Sequence, residues 1–387
     1  EGAVDDTPAS ARQQYDVEHP PQYTRPPTIT SLDISPDGSL IAVAGFHEIL
    51  LHESTGKRPA EPPVRLIGIS ERISSIRFSP DGSKLAATGG SPARLGEVQI
   101  WDVASRELEL SLPVTHDNVY GASWSPDGTL LAFGCTDNTV RAIEVATGKQ
   151  VFFQSAPNDW VLDTVVSADG SQLVSVGRDA TAKLIEVATE RFVHNITSIT
   201  PGALGGGIHA LARHPQRDEI LFGGADGIPK IYRMHRTTKR VIGDDANLLW
   251  KLPPLPGRIF GIDYSADGTL IAVGSSLNGG GTLHLYGMDA DPKIPDEINS
   301  LLLKPTHKRT AQEIEQLEKH FATGIRVVRQ ISFDDGGVYS VAISADGSQV
   351  AAGGAAGKVR LVDGASGDLI REFIPVELVD APPESSS

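Results

Sequence analysis

Along most of the chain, apolar and polar residues alternate in short runs separated by Gly, Pro, Asp and Ser. Such runs predict short β-strands, and such separators predict tight turns. The stretch SWSPDGTLLAFGCTDNTVRAIEVATGKQ, from Ser123 to Gln150, shows the unit. A Ser-Pro-Asp-Gly turn leads into an apolar run, a second turn leads into another run, and a Thr-Gly turn follows. The first turn recurs at Ser35–Gly38, Ser79–Gly82, Ser125–Gly128, Ser167–Gly170, Ser265–Gly268 and Ser344–Gly347, with a disguised copy at His214–Glu219. From Gly38 to Gly170 the closing glycines lie 44, 46 and 42 residues apart. The wider gap to Gly268 holds two units, and the gap to Gly347 holds one unit plus an insertion. One four-stranded sheet cannot cover both its faces, whereas several packed radially can. The pattern therefore predicts an all-β fold: a seven-bladed β-propeller of four-stranded antiparallel blades.

The unit length, the turns and Val98-Gln-Ile-Trp-Asp102 resemble the WD40 repeat, over roughly Thr28 to Phe373. The Trp-Asp pair survives only as Trp101-Asp102. The family's Asp between the second and third strands is matched by Asp137, Asp179 and Asp226, with Ala356 at that place in the last copy. The last copy supplies its own fourth strand, Leu369–Ile374, so closure by an N-terminal strand is not required.

A narrower resemblance lies in strings such as YTRPPTITSLDISPDGSLIAVAGFHEILLH, GGSPARLGEVQIWDV and RDATAKLIEVATERFVHNITSITPGALGGG. They are similar to the propeller segment of large bacterial exported proteins in which a c-type cytochrome domain precedes the array. That resemblance implies a periplasmic or extracellular setting, neighbouring domains or a c-type cytochrome as partners, and haem in the neighbour, with no cofactor in this chain. The expected organisation is a linker or edge segment at 1–24, the propeller at 25–375 and a tail or linker at 376–387. Both ends read as polar linkers, as in a fragment or processed product.

Residues 288–324 interrupt the sixth copy between its third and fourth strands. Within them, Thr310 and Glu313 form a capping-box pattern, and Ile314, Leu317 and Phe321 follow at helical spacing. A helix over about 310–322 is expected on the propeller surface, on the side carrying the Pro-Asp-Gly turns. It either covers a patch or docks a neighbouring domain.

Charge narrows the partners. The 49 acidic and 34 basic side chains leave a formal charge of −15, which repels phosphate backbones and argues against nucleic acid. No run of 18 apolar residues exists, so no membrane-inserting helix is expected. Cys135 is the only cysteine, which excludes an intrachain disulfide and a four-Cys zinc site.

Aligning the inner strands on their turns places Thr30, Ser74, Tyr120, Leu162, His209, Phe260 and Tyr339 in one column. Two residues earlier stand Thr28, Arg72, Asn118, Trp160, Gly207, Arg258 and Gly337. These columns are expected to ring the channel mouth opposite the Pro-Asp-Gly turns. Aromatic and arginine side chains there suit a protein interface. The candidates are Trp160, Arg258, Arg72, Arg94, Asn118, Tyr120, His209, Phe260 and Tyr339, with blade-to-blade packing as the alternative reading of the aromatics. Asp33, Asp163 and Asp263 are expected to give the channel a negative lining, with Arg77 paired to one of them. The Gly-rich stretches Gly89–Glu97, Ser198–Gly207 and Ser275–Gly281 read as the longest loops of the same face.

Catalytic signatures are missing. There is no Gly-x-Ser-x-Gly elbow and no His-Glu-x-x-His, no ligand spacing supports a metal, and no catalytic residue is assigned. The leading expectation is a non-catalytic scaffold for proteins or domains. The alternatives are an enzyme or small-ligand binder at the channel mouth, through His209 or Asp163, and a structural spacer in a surface layer.

Overall fold

The Ser-Pro-Asp-Gly turns carry their own hydrogen bonds. Ser35 Oγ donates to Asp37 Oδ1 (2.5 Å) and accepts from the N–H of Leu40 (2.9 Å), while Asp37 Oδ1 accepts from the N–H of Ser39 (3.0 Å). Gly38 completes the turn at φ +72°, a conformation that glycine adopts without steric cost. The same bonds recur around Asp81, Asp127, Asp169 and Asp346. They hold the carboxyls of Asp37, Asp169 and Asp346 down at about 2. In the disguised copy, His214 Nδ1 replaces these oxygens and accepts from the N–H groups of Gln216 (3.1 Å) and Arg217 (3.0 Å).

A computed structural model describes residues 22–54, 63–197, 206–288 and 294–380. Its first sheet has seven antiparallel strands in sequential order: β1 (Ser31–Ile34), β2 (Leu40–Ala44), β3 (Phe46–Glu53), β4 (Val64–Phe78), β5 (Lys84–Ser91), β6 (Leu95–Asp102) and β7 (Leu108–Thr115). Five four-stranded antiparallel sheets follow. The second holds β8 (Val119–Trp124), β9 (Leu130–Cys135), β10 (Val140–Glu144) and β11 (Gln150–Gln154). The third holds β12 (Val161–Val166), β13 (Gln172–Gly177), β14 (Ala182–Glu186) and β15 (Phe192–Asn195). The fourth holds β16 (Ile208–Arg213), β17 (Glu219–Gly224), β18 (Lys230–Arg233) and β19 (Leu248–Lys251). The fifth holds β20 (Arg258–Tyr264), β21 (Leu270–Leu277), β22 (Gly280–Met288) and β23 (Ile325–Phe333). The last holds β24 (Val338–Ile343), β25 (Gln349–Gly354), β26 (Val359–Asp363) and β27 (Leu369–Phe373).

Strand β4 is long and changes partner along its length. Its start, Val64–Ile67, pairs with β3, and its end, Arg72–Phe78, pairs with β5. The inner strands then follow one another around a channel, and the last sheet returns to the first where Ile29, just before β1, donates its N–H to Gly354 O at the end of β25 (3.0 Å). Apolar clusters fill the seams between neighbouring sheets, such as Ile29, Leu32 and Val43 against Ala342, Ala351 and Leu361. Tyr23 makes an isolated parallel bridge to Leu378, so the two ends of the described chain lie together.

Between β22 and β23 stand two helices, α1 (Asp296–Leu303) and α2 (Ala311–Phe321), separated by a short 3₁₀ turn. Thr310 and Glu313 cap α2 reciprocally. Helix α1 has no side-chain cap, which is why it escapes a reading based on capping signals. Leu317 and Phe321 are buried with Ile298 and Leu302 of α1 against Tyr232, Met234 and Leu248. Ile314, expected on the same stripe, is exposed instead. The helices thus leave the fifth sheet and pack on the fourth, where Arg309 pairs with Asp245 (2.8 Å) and Asp245 N–H donates to Leu302 O (3.0 Å).

Two of the three Gly-rich stretches are extended hairpins rather than loops. Strands β5 and β6 run on to Ser91 and from Leu95, and β21 and β22 meet at Asn278-Gly279, both with positive φ. Asn-Gly is the favoured pair for such a two-residue turn. The third stretch falls mostly at 198–205, outside the described residues.

Candidate interaction site at the channel mouth

The inner strands are irregular where they begin. The register skips Ser74 in β4, Leu162 in β12, His209 in β16, Phe260 in β20 and Tyr339 in β24, and it shifts after Tyr120 in β8. A bulge leaves its extra residue outside the ladder and re-aims the side chain. Here all of these residues, with Thr30, line one cavity of about 450 Å³ at the end of the channel. Gly121 is required beside it, because a Cβ there would stand 2.3 Å from the Cα of Asp163.

One side of the cavity is aromatic. The rings of His209 and Phe260 lie 5.3 Å apart, and Phe260 meets Tyr339 edge-on at 5.5 Å. Burial and the nearby charge of Arg258 hold the His209 imidazole below its ordinary range, so it is neutral at pH 7. The opposite side carries Arg72, Asn118 and Tyr120. Thr30 is engaged structurally, donating from Oγ1 to Ile73 O (2.6 Å).

The structure does not bring every candidate into this cavity. Trp160 and Arg258 lie outside its lining, as does Arg94. Trp160 is exposed and covered by the guanidinium of Arg178, 4.6 Å from the ring centre. Arg94 is 77% exposed and pairs with Glu71 at 3.4 Å. Arg94 stands in the turn between β5 and β6, whereas Trp160 and Arg258 share the column of Arg72 and Asn118, which do line the cavity.

Below the mouth, polar residues of the inner strands bind the next sheet. Ser31 Oγ accepts from the N–H of Ile76 (3.1 Å), Ser75 Oγ from Ala122 (3.2 Å), Ser123 Oγ from Val166 (2.9 Å) and Ser340 Oγ from Leu32 (3.0 Å). Asp33 accepts from Phe78 (2.7 Å), Asp163 from Leu211 (3.0 Å) and Asp263 from Ile343 (2.7 Å) in the same way. Only between β16 and β20 is this bridge missing among the described residues, since Ala210 and Ala212 hold the equivalent places. Sequence reasoning missed this role. Its signal was the recurrence of Ser and Asp one and three residues after the mouth column.

Arg77 forms no ion pair with Asp33, Asp163 or Asp263, contrary to expectation. It donates from Nη1 to Ile76 O (2.9 Å) and acts on the three carboxylates at longer range. Each carboxylate is already held by two backbone N–H groups, which removes the need for a direct partner. Burial raises all three, Asp163 to about 6 and Asp263 to about 7, against the lowering effect of Arg77 and these hydrogen bonds. Arg77 and Asp163 also line a second cavity, of about 280 Å³, at the opposite end of the channel. No group of three His, Cys, Asp or Glu is set to hold a metal among the described residues.

Comparison with known proteins adds the family signal. A family model described as WD domain, G-beta repeat matches residues 62–102 and 326–363. Those two segments match the WD40 repeat. A model described as Anaphase-promoting complex subunit 4 WD40 domain matches residues 91–162. The WD repeat-containing protein 91 homolog of Dictyostelium discoideum is 28% identical over 109 residues, 28% of this chain and 14% of that protein. Eukaryotic translation initiation factor 3 subunit I of Aspergillus oryzae is 24% identical over 208 residues, 51% of this chain and 59% of that protein. Actin-interacting protein 1-2 of Arabidopsis thaliana is 31% identical over 156 residues, 39% of this chain and 25% of that protein. The matched region covers less than two thirds of each of these curated relatives, all three eukaryotic. A chain in the crystal structure of a mitotic checkpoint complex superposes with a TM-score of 0.65, over 87% of this chain and 89% of that one. At 16% identity it is a likeness of fold.

The residues at WD40-like positions bond locally, within a strand or to the turn that opens it. Trp101 is fully buried and donates from Nε1 to Gln99 Oε1 (3.0 Å), and Gln99 Nε2 donates to Glu97 Oε2 (2.8 Å). The repeat's turn aspartates Asp137, Asp179 and Asp226 each pair with the base four residues on, Arg141, Lys183 and Lys230. Where Ala356 replaces the Asp, Arg360 turns to Asp335 and Glu372 instead.

Proposed function

We propose that this chain is a non-catalytic WD40 propeller that binds protein partners at the channel mouth. The observation that carries this reading is the convergence of residues from every inner strand on one cavity. Bulges turn Phe260, Tyr339 and His209 into it, and exposed arginines stand at its rim. Large apolar area beside forked donors is the composition of an interface hot spot. Similar proteins whose names refer to an initiation factor, actin interaction and a checkpoint complex support the same class of function. Within this reading, the seven-stranded sheet is two four-stranded blades sharing β4, which makes seven blades in all. The helices then belong to the sixth.

The loop strings noted above support a further part of the proposal, an exported protein with a c-type cytochrome domain nearby. A haem-stained gel of the native full-length product tests that part. The mouth itself is tested by co-purification of partners with the wild type and with Phe260→Ala, Tyr339→Ala and the exposed control Ser83→Ala. Loss of the same partner in both mouth variants, at unchanged melting temperature, supports the reading. Equal capture by all four proteins contradicts it.

A further inference from the structure

We propose that the occupant of the mouth is an extended protein segment bearing carboxylates on either side of an apolar side chain. This rests on the reading of the mouth as a protein-binding surface and names the chemistry of its partner. The charge around the opening carries the argument. The chain is acidic overall, yet most acids next to the mouth are engaged, the exposed Asp334 being unpartnered among the described residues. Glu71 pairs with Arg94 (3.4 Å), Asp159 caps the N–H of Trp160 (2.8 Å), Asp117 caps that of Asn118 (2.7 Å), and Asp335 pairs with Lys358 (2.9 Å) and Arg360 (2.5 Å). The bases are not. The exposed side chains of Arg72 and Arg258 have no hydrogen-bond or ion-pair partner among the described residues, and Arg77 uses one nitrogen for Ile76 O. A guanidinium carries five N–H donors in a fork that matches a carboxylate.

Two further observations fix the shape of the occupant. Asn118 lines the cavity, is about nine-tenths buried, and its Oδ1 has no partner. Its side-chain amide is a polar group in the lining that a peptide backbone can meet. Opposite it, the rings of His209, Phe260 and Tyr339 form an unbroken apolar arc. Asp163, the carboxylate in the lining, is already bonded to the N–H groups of Thr164 (2.9 Å) and Leu211 (3.0 Å). Nucleic acid also carries anions, but the formal charge of −15 opposes its approach.

The test uses fluorescence anisotropy with two labelled hexapeptides, Asp-Glu-Phe-Leu-Asp-Glu and Lys-Lys-Phe-Leu-Lys-Lys. They are titrated with the wild type and with Arg72→Glu, Arg258→Glu and Phe260→Leu, each checked by thermal melting. The acidic peptide is expected to bind at least about tenfold more tightly than the basic one, and each charge reversal to weaken it about tenfold. If the basic peptide binds as well and still depends on Phe260, the assigned partner chemistry is wrong and the mouth reading survives. Binding that ignores Phe260 and both arginines, or no binding at all, overturns the proposal. In the first of these two cases the mouth reading falls too. Displacement of the acidic peptide by millimolar inorganic phosphate or a single-stranded oligonucleotide overturns the commitment to a protein carboxylate.

Discussion

The Oγ of Ser340 accepts a hydrogen bond from the backbone N–H of Leu32 at 3.0 Å, and so joins the last inner strand to the first across 308 positions. A closed ring depends on this seam, because no covalent link holds the final sheet to the initial one. Ser340→Ala leaves the buried Leu32 N–H without a partner, at a cost of about 1–3 kcal/mol. Urea unfolding at pH 7 should show a lower midpoint for the variant. Wild-type stability in Ser340→Ala removes closure from the role of this bond.

One seam lacks such a bridge. Ala210 stands where Ser31, Ser75, Asp163 and Ser340 stand in other strands, one residue after the mouth column. By register, a hydroxyl at Ala210 faces the N–H of Ile262. Ala210→Ser should therefore raise stability by about 1 kcal/mol, read in the same urea experiment. A lower midpoint shows that the seam has no room for the oxygen.

The helices tie the fifth sheet to the fourth by another route. They leave the fifth sheet and bury Leu317 and Phe321 on the fourth, within the apolar cluster that it shares with the third. Phe321→Ala removes a fully packed aromatic ring, worth about 3–5 kcal/mol in a core. Hydrogen exchange should then accelerate in β18 and β19 before the strands of other sheets. Uniform acceleration around the ring contradicts this tie.

The channel carboxylates give a pH dependence of defined sign. The folded-state value of Asp263 is raised to about 7, above its ordinary value near 3.8. The unfolded chain therefore loses this proton first as pH rises, and the contribution of Asp263 to stability falls between about 4 and 7. The turn aspartates act oppositely, since those held at about 2 lose their contribution only as pH falls below 4. Asp263→Asn isolates the first effect. Relative to wild type, the variant should be more favourable at pH 8 than at pH 5, by thermal melting in matched salt. A difference independent of pH refutes the raised value.

Cys135 is fully buried and its thiol is pushed up to about 12, chiefly by burial. At pH 8 it should not react with a soluble disulfide reagent in the native protein and should react completely in 6 M guanidinium. Rapid native labelling shows that the second sheet opens locally.

The turns are legible in the sequence because their bonds are local. Ser35, Asp37 and Gly38 satisfy one another, so the same residue types recur wherever the turn does. Counting from those turns suffices to align Phe260 with Tyr339, and the alternating runs between them suffice for the antiparallel sheets. The bulges are not legible, since a skipped residue such as Leu162 depends on how β12 meets β13. Without them, Trp160 and Arg258 rank above Tyr120, and the structure places Tyr120 in the cavity lining instead. Arg77 escapes for a related reason: its expected partners are claimed by backbone N–H groups of another sheet. Helix α1 has no capping side chain and leaves only a short apolar run.

The central claim is that partners meet the mouth and not the opposite face. A photo-crosslinking residue installed at Tyr339 and, separately, at Ser83 of a Pro-Asp-Gly turn tests it most directly in the native host. The account predicts a discrete protein adduct from position 339, lost on competition with the unlabelled acidic hexapeptide, and none from position 83. An adduct from position 83 alone, or identical adducts from both, contradicts it.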